Sequence, residues 1–223
     1  MRAKGLFAAG LAAFILGVVG LSIMTPAFAT AQASGSWAWG PMGMMGMAGM
    51  MGGPIPPGAS PMGAESAIAA ARNYAASFGN PNLEVDEMME FGVNYYAQVV
   101  EKDTGVHAFE LLVDKYTGNT FPEMGPNMVW NTKYGMMGWR LPGQGPTADM
   151  PIGPERAQEL ARQYLRSQNL LLDVGEPERF YGYYTLHTLR DGTIEGMLSV
   201  NGYTGDVWYH AWHGPFIREI GLK

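Results

Sequence analysis

The sequence predicts an α+β fold of two tandem small domains, each a helix packed on a three- to four-stranded antiparallel sheet. Three observations support this prediction: an internal repeat, a helical pattern that opens each copy, and hairpin patterns that follow it. Residues 61–74 and 151–164 align at an offset of 90, with seven of fourteen positions identical. Two copies are too few for a solenoid, so a pair of domains is predicted.

Each copy opens with apolar residues at helical spacing. In the first copy they are Ala67, Ile68, Ala71, Tyr74, Ala75 and Phe78, and in the second Ala157, Leu160, Ala161, Tyr164 and Leu165. Ser60-Pro61 is the predicted start of the first helix, and Gly79-Asn80-Pro81 the predicted stop.

Strand patterns follow each helix. The predicted strands are 95–101, 107–114 and 119–121 in the first copy, and 183–190, 193–201 and 206–212 in the second. Asp191-Gly192 is the short turn that tight hairpins favour. The acidic run that contains Asp86, Glu87 and Glu90 is interpreted as the solvated edge of a strand.

The charges are unevenly placed along the 223 residues. Residues 5–64 contain no Asp, Glu, Lys, Arg or His, whereas residues 65–223 carry 12 basic against 20 acidic residues, a net charge of −8. An acidic domain repels phosphates, which argues against nucleic-acid binding. The chain has no cysteine, which excludes disulfides and thiolate chemistry.

Residues 1–29 are predicted to be a signal peptide or an N-terminal anchor. Arg2 and Lys4 precede an apolar run that Pro26 ends, and Ala27-Phe28-Ala29 has the form of a cleavage site. The run is also long enough to remain uncut as a membrane anchor. Both alternatives place the acidic part outside the cytoplasm, in the periplasm or secreted.

Residues 30–60 are predicted to be a Met-, Gly- and Pro-rich flexible linker. Its methionines are Met42, Met44, Met45, Met47, Met50 and Met51. Thioether sulfur favours Cu(I), so these residues are candidate copper ligands. The alternative interpretations are a hydrophobic spacer and a surface that contacts the membrane or a partner.

Residues 122–150 are predicted to connect the two domains, 61–121 and 151–223. This connector is unusual because it contains Trp130, Trp139 and the pair Met136 and Met137. It is interpreted either as an ordered loop between the domains or as a Met- and aromatic-lined surface for a partner or a soft metal.

The histidines give the other candidate metal ligands, His210 and His213. On a strand these two would point to opposite faces, so chelation requires a bend, for which Gly214-Pro215 is the candidate. Aromatic packing is the alternative for the pair. His107 is interpreted as a satisfied histidine at the end of a core strand, and His187 is given no role.

The strand and turn Leu111-Leu-Val-Asp-x-x-Thr-Gly118 resembles the PepSY domain, an extracytoplasmic module found in peptidase propeptides and in sporulation and membrane proteins. The second copy, Leu198-Ser-Val-Asn-Gly-Tyr-Thr-Gly205, is similar but has Asn201 where the family usually has Asp. The resemblance implies a non-catalytic module that inhibits or regulates peptidases. It carries over no catalytic residue.

The sequence contains none of the common hydrolase, zinc-peptidase, phosphate-loop or dinucleotide motifs, so no catalytic residue and no enzyme activity are predicted. The first functional hypothesis is a non-enzymatic extracytoplasmic binding or regulatory protein whose partner is an envelope protein or a peptidase. The alternative is a periplasmic copper(I)-binding protein that uses its Met-rich segments.

Overall fold

A computed structural model describes residues 58–137, 145 and 149–222. It contains three helices, α1 (Ala64–Ala76), α2 (Pro126–Val129) and α3 (Pro154–Ser167). Its strands are β1 (Leu83–Phe91), β2 (Asn94–Glu101), β3 (His107–Asp114), β4 (Thr120–Pro122), β5 (Asp173–Val174), β6 (Glu178–Arg179), β7 (Tyr183–Arg190), β8 (Thr193–Asn201), β9 (Val207–Tyr209) and β10 (Phe216–Glu219). The predicted signal segment and Met-rich linker, residues 1–57, lie outside the described residues.

The strands form two antiparallel sheets, which confirms the predicted α+β class. The first sheet has the order β10-β1-β2-β3-β4, and the second has β5-β7-β8-β9 with β6 also paired to β7. Each sheet therefore has five strands rather than three or four. The domain boundaries stay predictions, but the C-terminal strand β10 pairs with β1 of the first half.

The prediction that the acidic run is a solvated strand edge is wrong for Glu90, because β10 pairs with Met89, Glu90 and Phe91; this pairing does not extend to Asp86 and Glu87. Strand β1 pairs with β2 on one side and with β10 on the other. Asp86 remains exposed, whereas Glu87 and Glu90 are half-buried. Glu90 binds Lys115 Nζ at 2.8 Å and Arg218 Nε at 2.9 Å, so it joins β1 to the C-terminal strand.

The layers follow the order helix, sheet, sheet, helix. Helix α1 buries Ala67, Ala71 and Ala75 against the first sheet, and α3 packs on the second sheet in the same way. Small residues on α1 let its backbone approach the strands closely. The two sheets meet through their opposite faces, where Tyr96 and Met197 belong to one buried cluster.

The turn shared by the two halves is built by its side chains. Asp114 Oδ1 accepts hydrogen bonds from the backbone amides of Tyr116 and Thr117, at 3.0 and 2.7 Å. Asn201 Oδ1 accepts the equivalent bonds in the second half, at 2.9 and 3.1 Å. Asn in place of Asp therefore keeps the turn, because one amide oxygen supplies the same acceptor.

The face between the sheets is polar at its centre. Glu110 is fully buried there. Its carboxylate accepts hydrogen bonds from Tyr96 at 2.7 Å, Tyr183 at 2.8 Å and Thr185 at 2.9 Å. Burial and the charge of Glu123 raise the pKa of Glu110 well above its ordinary value. Titratable groups are thus part of the contact between the halves.

Candidate metal centre

Three titratable side chains meet beside this polar face, and they come from separate parts of the chain. Glu123 directly follows β4, where Pro122 ends the strand, and its amide bonds the carbonyl of Glu110 at 2.9 Å. His210 directly follows β9, and His213 lies in the turn before β10. The strand ends at Tyr209, so the chain bends before His213 rather than at Gly214, and both rings turn to the same side.

The side chains of His210, Trp212 and His213 surround one carboxylate oxygen of Glu123. Glu123 Oε1 lies 2.8 Å from His213 Nε2 and 3.4 Å from His210 Nδ1, and it accepts a 3.0 Å bond from Trp212 Nε1. The side chains of Glu123 and His210 are 0% exposed, and that of His213 is 2% exposed. One ligand atom from each of Glu123, His210 and His213 lies within 4.8 Å of the other two.

The outer nitrogen of each imidazole is held by a neutral side chain. Asn94 Oδ1 lies 3.1 Å from His213 Nδ1, and Ser199 Oγ lies 3.0 Å from His210 Nε2. An amide oxygen accepts only, so His213 carries a proton on Nδ1, and Ser199 fits a proton on His210 Nε2. In neutral rings both inward nitrogens are then bare acceptors, the form that binds metal ions.

The inward atoms have unused bonding capacity. Within the described part of the chain, Glu123 Oε2, His210 Nδ1 and His213 Nε2 make no well-oriented hydrogen bond. Buried polar atoms nearly always have partners, because leaving one without a partner costs about 1–3 kcal/mol. Two imidazole nitrogens and one carboxylate oxygen in the same buried cluster therefore have bonding capacity that a cation could use.

The electrostatics of the centre favour metal binding. Burial alone would raise the pKa of Glu123, but the adjacent imidazoles of His210 and His213 hold it well below its ordinary value. Burial lowers the pKa of His213. An ionised carboxylate and an imidazole that releases its proton readily are both in the forms that bind metal.

The donor set suits zinc or copper(II) better than copper(I). Two imidazole nitrogens and a carboxylate oxygen are common zinc ligands at about 2.0–2.2 Å. Tetrahedral ligands at that distance stand about 3.3 Å apart. The 3.4 Å contact of Glu123 Oε1 with His210 Nδ1 already fits, and the 2.8 Å contact with His213 Nε2 would open by about 0.5 Å around an ion. Cu(I), by contrast, is selected by soft thioether ligands.

The predicted ligands do not all come together. His210 and His213 meet, as the bend allows, but Met136 and Met137 are 66% and 51% exposed and so do not share the buried centre. The six methionines of 42–51 lie outside the described residues. Sequence reasoning missed Glu123, because no spacing links it to histidines so far along the chain.

Comparisons with known proteins add little to this picture. No protein-family model and no curated protein matches the chain. Among solved structures, the chain is similar to the Bacillus megaterium YpeB C-terminal domain, at 10% identity and a TM-score of 0.23. The match covers 66% of this chain and 62% of that structure. By its fold and its site, this chain is a two-sheet α+β protein with a candidate buried metal centre.

Proposed function

We propose that this chain is a non-enzymatic extracytoplasmic protein that binds a divalent transition-metal ion through Glu123, His210 and His213. One observation carries the proposal: in a buried cluster Glu123 Oε1 lies 2.8 Å from His213 Nε2 and 3.4 Å from His210 Nδ1, while Asn94 and Ser199 hold the outer nitrogens of both rings. Residues that orient metal-binding histidines through the outer nitrogen are a regular part of such sites. The export segment and the acidic charge support the location.

The proposed role of the ion is structural or regulatory. The ligands are closed off from solvent, whereas catalytic zinc sites keep a position open to water or substrate. An ion at this point would tie β4 to the turn between β9 and β10. Because it binds only the folded chain, it would raise stability by about 2.7 kcal/mol at a hundred times its dissociation constant.

Zinc titration of the mature protein tests the proposal, with affinity read by competition against a chromophoric chelator. Glu123→Gln removes the only charged ligand and is expected to weaken zinc binding at this centre at least about 100-fold. Ser199→Ala leaves all three ligands in place and is expected to weaken it about 10-fold. His107→Gln is the matched control, because His107 is a partly buried histidine outside the centre.

Equal zinc affinity in the original protein, Glu123→Gln and Ser199→Ala would overturn the proposal. Ser199→Ala keeps the experiment informative if Glu123→Gln fails to fold. A thermal scan of each variant without metal shows whether it folds.

The copper(I) alternative is a separate proposal that rests on the methionines. Its ligands would be those of residues 42–51 together with the exposed Met136 and Met137. A Cu(I) competition titration tests it, and unchanged affinity after deletion of 42–51 excludes that segment as the site.

Partner binding is a further candidate function. The side chains of Met136 and Met137 are exposed, and the amide of Met137 binds the carbonyl of Met128. Trp208, which packs edge-to-face on Trp130, is also exposed. Met and aromatic side chains adapt well to an apolar segment. An envelope pull-down and incubation with extracytoplasmic peptidases test this candidate. Loss of capture in Met137→Lys would support it, and equal capture would refute it.

A further inference from the structure

A second group of metal-binding residues lies on the contact between the two sheets. Glu87 is on β1 of the first sheet, whereas Glu178 on β6 and His187 on β7 belong to the second. One ligand atom from each lies within 4.8 Å of the other two. No sequence pattern joins these residues, because their approach depends on how the sheets pack.

The atoms in this group are also incompletely bonded. His187 Nε2 lies 3.6 Å from Glu87 Oε2, too far for a hydrogen bond, and both atoms are buried without a partner in the described residues. Glu178 Oε2 accepts a bond from Gln98 Nε2. Gln98 is fully buried, and its amide oxygen likewise has no partner among the described residues.

The negative charge of this group favours binding of a cation. Two carboxylates, those of Glu87 and Glu178, share the space with the single imidazole of His187. Like charges held close together in a partly dry site repel strongly. A divalent ion would offset that repulsion and use the unpartnered nitrogen and oxygen.

The group differs from the first centre in its access to solvent. The side chains of His187 and Glu87 are 15% and 17% exposed, whereas those of the first centre are 0–2% exposed. The group therefore lies nearer the surface than the first centre, although Glu87 Oε2 and His187 Nε2 are themselves buried, and we expect an ion to enter from this side and keep water as a further ligand. A carboxylate-rich set with water ligands suits zinc, manganese and similar divalent ions.

We propose that Glu87, Glu178 and His187 form a second divalent transition-metal site, which joins the two sheets and exchanges its ion with solvent. This inference goes beyond the proposed function and does not depend on it, because the two sites share no residue. Binding here would tighten the contact between the halves, since the ligands come from both sheets.

Zinc stoichiometry on the folded mature protein tests the inference. His187→Gln and Glu87→Gln are each expected to remove one rapidly exchanging zinc, which added EDTA strips within seconds from the original protein. His107→Gln is the matched control and is expected to retain that zinc. Glu87→Gln guards against a folding defect in His187→Gln, because Glu87 Oε2 has no hydrogen bond to lose within the described part.

Copper(II) electron paramagnetic resonance separates the two sites. Copper in the second site is expected to show coupling to one imidazole nitrogen, and copper in the first site coupling to two. In Glu123→Gln the one-nitrogen signal should persist, so failure of the proposed function leaves this inference testable. Absence of a rapidly exchanging zinc, or its retention in both His187→Gln and Glu87→Gln, would overturn the inference.

Discussion

Replacing Glu101 by Gln should destabilise the protein strongly at neutral pH and only weakly in acid. Glu101 Oε1 accepts bonds from Lys133 Nζ and Tyr134 OH, each at 2.5 Å. Its Oε2 accepts bonds from Tyr181 OH at 2.6 Å and Thr104 Oγ1 at 3.3 Å. One carboxylate thus ties the end of β2 to the connector and to the second half.

The size of the effect follows from the acceptors that are lost. Gln converts one oxygen into an amide donor, so two of the four donors lose their acceptor, at about 1.5–3 kcal/mol each, and the other two keep only an uncharged one. Lys133 is 36% exposed and recovers part of its loss in water, so the expected total is about 3 kcal/mol. This loss of unfolding free energy is measured from the shift of the urea unfolding midpoint, with the m-value unchanged.

The pKa of Glu101 predicts how the stability loss changes with pH. Burial would raise the pKa of Glu101, but the bonds from Lys133, Tyr134 and Tyr181 hold it below its ordinary value of 4.5. The carboxylate therefore stabilises the fold above the pKa of the unfolded chain, and the benefit disappears as the pH falls through the lowered folded pKa. The difference between Glu101→Gln and the original protein should shrink over that acidic range.

The control is Glu195→Gln, which breaks an exposed pair with Arg190 and should cost about 0.5 kcal/mol or less. A loss of the same size at pH 7 and pH 3, or one as small as the control's, would show that the assigned bonds do not stabilise the fold.

Two further predictions use matched pairs of substitutions measured by the same unfolding assay. Gly182→Ala should cost at least about 3 kcal/mol, because φ is +100° and the added Cβ would lie 2.4 Å from the Trp130 carbonyl oxygen. Gly192→Ala, with φ +81° in open space, should cost only about 1–2 kcal/mol, and equal losses would argue against the close contact. Leu198→Ala removes a fully buried side chain beneath α3 and should cost about 3 kcal/mol, whereas exposed Leu171→Ala should cost below about 0.5 kcal/mol. Similar losses for the two leucines would contradict the described core.

The elements within each half were predictable because their signals are local. The hairpin strands His107–Asp114, Tyr183–Arg190 and Thr193–Asn201 follow the alternation of the sequence. Asp191 and Gly192 have φ of +50° and +81°, as the tight turn requires. The predicted start at Ser60-Pro61 was too early: the first helix begins at Ala64, and the amide of Met62 instead binds the carbonyl of Lys115 at 2.7 Å.

The short and distant strands were not predictable in the same way. Strand β10 has four residues, of which three are exposed, so it lacks a clear alternation. It forms because β1 offers unpaired backbone groups, with Glu90 opposite Arg218. Once β10 is paired, Glu90 of the acidic run lies inside the sheet rather than at its edge.

The sequence by itself determined a helix and a set of hairpins in each half, and it singled out His210 and His213. It also showed that each strand has two chemically different faces, since side chains alternate with a period of two. Alternation does not tell what covers the second face. Only the tertiary structure decided that the polar faces of the two sheets meet, because each sheet already has its helix on the apolar face. That packing buries Glu110 and brings Glu123 to the two histidines, and it turns residues that look solvated into candidate metal ligands.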